Sequence, residues 1–112
     1  MDAAAVVRAL GALAQQSRLA VYRELVQAGR GGLPAGEIRE RVGIPATTLS
    51  FHLAQMANAG LLTSRRDGRS VIYSVDFPAM QDLLGYLTEN CCQGACAPVR
   101  PGASRGSARA RR

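Results

Sequence analysis

The sequence predicts a mainly α-helical domain carrying one small β-hairpin. Apolar residues recur at helical spacing through several segments. A short helix is followed, across a glycine turn, by a second helix with small polar residues at its start. Farther on, an Asp-Gly pair separates two short runs of alternating pattern. With 112 residues the chain makes one small domain, and a domain of this size buries too little surface to be robust as a monomer.

The first helix is expected from Asp2, an N-cap, to Ala14, with Val6, Val7, Leu10 and Leu13 on one stripe. Ser17 is the expected cap of a second helix that carries Leu19, Val21, Tyr22, Leu25 and Val26 and ends at Gly29. Arg30-Gly31-Gly32 reads as a loop. A short helix from Pro34 or Ala35 to Val42 then buries Ile38 and Val42, and Gly43-Ile44 makes a tight turn. The next helix starts at Pro45, a favoured first helical residue, and runs to Asn58 with Leu49, Leu53 and Met56 inward. Its outer N-terminal face is Ala46, Thr47, Thr48, Ser50 and His52. A helix, a glycine turn and a second helix of this kind is the arrangement that inserts a recognition helix into the DNA major groove.

Leu61 to Arg65 reads as a strand, Asp67-Gly68 as a two-residue hairpin turn, and Ser70 to Val75 as the returning strand. Arg65, Arg66 and Arg69 crowd the hairpin tip. A hairpin alone is marginal, so it must pack on the helices and project its basic tip as a wing toward DNA backbone or minor groove. Asp76 can cap a last helix with Phe77, Met80, Leu83, Leu84 and Leu87 at helical spacing. The first and last helices are both strongly apolar, which implies a homodimer that packs these helices across two chains and suits a palindromic operator. The expected architecture is therefore a homodimeric winged helix-turn-helix. Residues 1–92 form the DNA-binding and dimerisation domain, 91–96 a cysteine segment, and 97–112 a disordered tail rich in Arg, Gly, Pro and Ser.

Charge by itself says little. The net charge is +6, but five of the fourteen arginines lie in the last thirteen residues, so residues 1–96 carry a net of only +1. The chain has neither a signal-peptide pattern nor an apolar run of membrane-spanning length, so a soluble, cytoplasmic protein with reduced thiols and no membrane partner is expected. No carboxylate pair, nucleophile with its base, or phosphate loop is visible, so catalysis is not expected.

All three cysteines, Cys91, Cys92 and Cys96, fall within six residues near the end of the last apolar segment. Zinc wants four ligands, usually in two separated pairs, whereas this cluster supplies three thiols, with one distant histidine, His52. Trivalent arsenic prefers three sulfurs in a pyramid, and such a cluster satisfies it. Sb(III) and methylated As(III) have the same preference, and cadmium or lead remains an alternative. Neighbouring cysteines on an ideal helix point about 100° apart, so the backbone must leave the helix for them to converge, and Gly94 permits that exit. A phosphatase-like or arsenate-reductase-like loop would need an arginine six residues beyond a cysteine, and those positions are Ala97, Pro98 and Gly102. A thiol-oxidation switch is the other reading of clustered cysteines.

The string from Thr47 to Leu53, the Ala59-Gly60-Leu61-Leu62 run and the Arg-Asp-Gly-Arg tip together resemble the ArsR/SmtB family of metal-responsive repressors over roughly residues 5–90. The resemblance implies a dimer that holds operator DNA until an ion binds. It implies DNA contacts at Thr47, Thr48, Ser50 and His52, and at Arg65, Arg66 and Arg69 on the wing. His52 is read as a DNA-facing or packing residue rather than a metal ligand. The cysteine pair of the best-known arsenic-sensing pattern is replaced here by Pro34 and Gly36, and the family's zinc site needs histidines this chain lacks. Tyr86-Leu87-Thr88-Glu89-Asn90-Cys91-Cys92 instead looks like a branch of arsenic-responsive members with adjacent cysteines after the final helix, Cys96 fitting the third ligand. The expected function is thus an As(III)-responsive repressor of double-stranded operator DNA. A redox-responsive or cadmium- or lead-responsive repressor of the same fold is one alternative, and a metalloid-sequestering protein another.

Overall fold

Five helices and a three-stranded antiparallel sheet make up the fold, in a computed structural model that describes residues 1–94. Cys96 and the expected tail 97–112 lie outside the described residues. The helices are α1 (Ala3–Leu13), α2 (Gln16–Ala28), α3 (Ala35–Val42), α4 (Ala46–Asn58) and α5 (Phe77–Leu87). The strands are β1 (Leu33–Pro34), β2 (Leu62–Asp67) and β3 (Ser70–Val75), in the order β1-β3-β2.

Capping residues fix the helix starts. Asp2 accepts from the Ala5 amide at 2.8 Å and starts α1, and Asp76 accepts from the Ala79 amide at 3.1 Å and starts α5. The second helix starts earlier than its sequence suggests: Gln15, not Ser17, is the cap, its Oε1 accepting from the Arg18 amide at 2.8 Å. At α4, Pro45 occupies the cap position in extended conformation rather than the first helical turn.

The core is built from Val21, Leu25, Ile38, Met56 and Leu61, all fully buried, with Leu49, Leu53, Leu62, Val75 and Leu83 around them. Burial on α1 corrects the expected stripe. Val6, Ala9 and Ala12 face inward, while Val7 is 67% and Leu10 41% exposed. Small alanines let α1 sit close to its neighbours, and the larger apolar side chains are left on the opposite side. Leu19 of α2 is also exposed.

The sheet has one strand more than the hairpin alone. Leu33 and Pro34 pair with Tyr73 and Ile72, a contact between residues far apart in sequence. Gly32 makes the approach possible: its φ is +70°, and a Cβ there would clash with the Tyr73 carbonyl oxygen. The hairpin turn is also shifted by one residue. Asp67 pairs with Ser70, so the two loop residues are Gly68, at φ +64°, and Arg69. A left-handed glycine in the first loop position matches the right-handed twist of the strands.

Candidate functional site

The α3–turn–α4 unit is set by Gly43, whose left-handed φ of +78° ends α3 and whose amide donates to the Arg39 carbonyl at 2.7 Å. Ile44 and Pro45 then redirect the chain into α4. No side chain caps α4, so the first-turn amides stay open to an outside acceptor. Thr47, Thr48 and Ser50 are exposed on this helix, as expected, and a groove of about 220 Å³ beside Ser50 is lined by Ala35, Gly36, Arg39, Ala46 and Leu49.

His52 is corrected from DNA-facing to packing. It is buried on the same stripe as Leu49, Leu53 and Met56, where a base edge cannot reach it. Its Nδ1 lies 3.3 Å from the Arg18 Nη1, and Arg18 Nε donates to the Ala12 carbonyl at 2.6 Å. Arg18 therefore ties the end of α1 and the start of α2 to the back of α4. A guanidinium can only donate, so Nδ1 is the acceptor and the proton of the neutral ring sits on Nε2, which is buried without a hydrogen-bond partner. Burial, and then the Arg18 charge, hold the His52 pKa below its ordinary value.

Sequence reasoning missed Phe51 and Gln55, both exposed on α4. Each lies one helical turn beyond the last, Phe51 four residues after Thr47 and Gln55 four after Phe51. That periodicity was the available signal.

On the hairpin, Arg65 pairs across from Ile72 and Arg66 across from Val71, so successive arginines point to opposite faces. All three wing arginines are exposed, yet they are not equivalent. Arg65 Nη2 donates to the Gly31 carbonyl at 3.2 Å and is drawn back toward the loop before β1. Arg66 and Arg69 extend the basic tip.

At the other end of the chain, α5 stops at Thr88, whose hydroxyl donates to the Leu84 carbonyl at 2.8 Å. The backbone then turns through Asn90, Cys92 and Gln93 at φ between +53° and +58°. Cys91 and Cys92 fall in this short irregular turn beyond α5. Cys91 is a free, partly buried thiol. Among the described residues, no three His, Cys, Asp or Glu side chains gather as a metal site. The third predicted ligand, Cys96, is beyond them. Near this segment Tyr86 and Leu87 are exposed, as are Val7 and Leu10 on α1, the helix that α5 packs against. No described helix is long and apolar enough to cross a membrane.

Residues 13–65 match a family model described as a helix-turn-helix domain. The chain is 32% identical over 83 residues to the HTH-type transcriptional regulator YgaV of Escherichia coli, covering 74% of this chain and 82% of that protein. It is 34% identical over 73 residues to the "Probable mercury resistance operon repressor" of Streptomyces lividans, covering 65% of this chain and 56% of that protein. Among solved structures, it is similar to the homodimeric winged helix-turn-helix DNA-binding domain of Mb0332 from Mycobacterium bovis, with a TM-score of 0.61, 24% identity, and coverage of 85% of this chain and 88% of that one.

Proposed function

The chain belongs to the HTH-type transcriptional regulators, with the winged helix-turn-helix fold of ArsR-like proteins, and from that premise we propose that it is an As(III)-responsive repressor. It binds operator DNA as a homodimer through α4 and the wing and releases it when arsenite engages Cys91, Cys92 and Cys96. The observation that carries this reading is the position of the adjacent thiols. They lie in the turn beyond α5, four and five residues after the exposed Leu87, so a change in that turn bears on the end of the helix that would join two chains.

Val7 and Leu10 on α1 with Tyr86 and Leu87 on α5 support the dimer, because exposed apolar side chains on two packed helices gain by mutual burial. Thr47, Thr48 and Ser50 meet the major groove, and Arg65, Arg66 and Arg69 the backbone or minor groove. Arsenite must bind the DNA-incompetent form more tightly to shift the balance. A preference of about 2.8 kcal/mol lowers DNA affinity about a hundredfold.

The clustering of the three cysteines within six residues favours a second reading, in which oxidation of the thiols rather than arsenite changes DNA affinity. One experiment separates the two. Fluorescence anisotropy of the reduced protein on its own promoter DNA is followed while arsenite, zinc, cadmium or, in a parallel series, peroxide is added. Release by stoichiometric arsenite and not by zinc supports the first reading, and release by peroxide alone supports the second. Arsenite binding without any sequence-specific DNA binding would point instead to a sequestering protein.

A further inference from the structure

Phe51 is the most exposed aromatic ring on the molecule, at 57%, and it stands on α4, the second helix of the helix-turn-helix. A large ring held in water at that place is unfavourable unless something covers it. Helix α4 also contains no charged residue, since its sequence is ATTLSFHLAQMAN and its one ionisable side chain, His52, is turned inward. The commonest specific contact to DNA, an arginine or lysine on guanine, is therefore unavailable from this helix. Its exposed N-terminal half offers the hydroxyls of Thr47, Thr48 and Ser50, the two threonine methyls, and one large apolar group, Phe51. The apolar feature of a base pair in the major groove is the thymine 5-methyl group.

We infer that Phe51 is a specificity-determining residue that packs its ring on a thymine methyl in each operator half-site. This rests on the operator-binding reading of α4 and assigns the base it selects. The exposed ring also makes the test clean, because truncating a side chain that lies outside the core leaves the fold intact.

The experiment takes the reduced full-length protein and the promoter duplex it protects from nuclease digestion. Each thymine is replaced in turn by deoxyuridine, which removes the methyl and keeps the pairing. At one symmetric position, affinity falls about fourfold per half-site, the value of one buried methyl group, and about fifteenfold when both half-sites are changed. Phe51→Ala binds the thymine duplex more weakly and no longer distinguishes it from the uracil duplex, and Phe51→Leu keeps part of the discrimination. The inference is overturned if specific binding is indifferent to every thymine methyl, or if Phe51→Ala discriminates as the parent does. Failure of the operator reading looks different: the parent protein then shows no sequence-specific binding to the unmodified duplex.

Discussion

Replacing Arg18 by methionine is expected to loosen the seat of the recognition helix. Arg18 links three helices, through Nε to the Ala12 carbonyl at 2.6 Å and through Nη1 to His52 Nδ1 at 3.3 Å. Methionine keeps most of the aliphatic stem, so the change isolates the polar links. A hydrogen bond from a charged group contributes about 1.5–3 kcal/mol. The short bond belongs near the top of that range and the long one near or below its foot. Arg18 is only partly buried, so water compensates in part, and a net loss of about 2–3 kcal/mol is expected. Urea denaturation at fixed protein concentration measures it.

A second reading comes from the imidazole, because His52 is the chain's only histidine and its ring protons titrate as a single NMR signal. Without Arg18 one of the two causes that depress its pKa is gone, and the signal titrates at higher pH than in the parent. In the parent protein the folded pKa lies below the unfolded value of about 6.5, so the unfolded chain takes up the proton first as pH falls. Stability is complete above about 6.5 and declines as pH drops from there toward the depressed folded value. A stability loss under about 0.5 kcal/mol together with an unmoved titration would refute the idea that Arg18 holds His52.

Four further outcomes are expected. Gly32→Ala loses at least about 2 kcal/mol in chemical denaturation, because its backbone region is open essentially to glycine alone and the new methyl meets the Tyr73 carbonyl. Arg66→Ala and Arg69→Ala weaken binding to all DNA sequences alike and each reduce the salt slope of log K by about 1, measured by anisotropy across salt concentrations. Leu87→Glu converts the proposed dimer to monomer in sedimentation. Cys91→Ser leaves operator affinity within about twofold of the parent and abolishes release by arsenite, since the serine hydroxyl is a poor ligand for a soft ion.

The parts of the fold written in local periodicity were legible, and those that depend on distant partners were not. Leu49, Leu53 and Met56 at spacings of four and three placed α4, and the Asp67-Gly68 pair located the hairpin to within one residue. Strand β1 escaped because two residues, Leu33 and Pro34, carry no pattern and exist as a strand only by pairing with β3. The stripe on α1 misled because hydrophobicity favours Val7 and Leu10, whereas the close approach of α1 to its neighbours favours Ala9 and Ala12. His52 stands three residues after Leu49 and four before Met56, on the inward stripe, although its polarity suggests an outward role. Nothing local foretold that an arginine from α2 would supply its partner.

The same geometry distinguishes a sensor from a protein that merely holds a metalloid. Leu87 ends α5 and Cys91 stands four residues later in the turn beyond it, and the two are assigned different work. In a coupled repressor, Leu87→Glu removes the dimer and with it both operator affinity and any arsenite response, because a single recognition helix reads only half of a palindrome. Cys91→Ser removes the response alone. A sequestering protein obeys neither rule: its arsenite affinity survives the loss of the dimer, and its cysteine variant changes nothing on DNA. Linkage adds a stricter requirement. If arsenite lowers operator affinity by some factor, operator DNA must lower arsenite affinity by the same factor. Titrating arsenite into the free dimer and into the DNA complex therefore tests the coupling from the opposite side, and unequal factors in the two directions would break the two-state account.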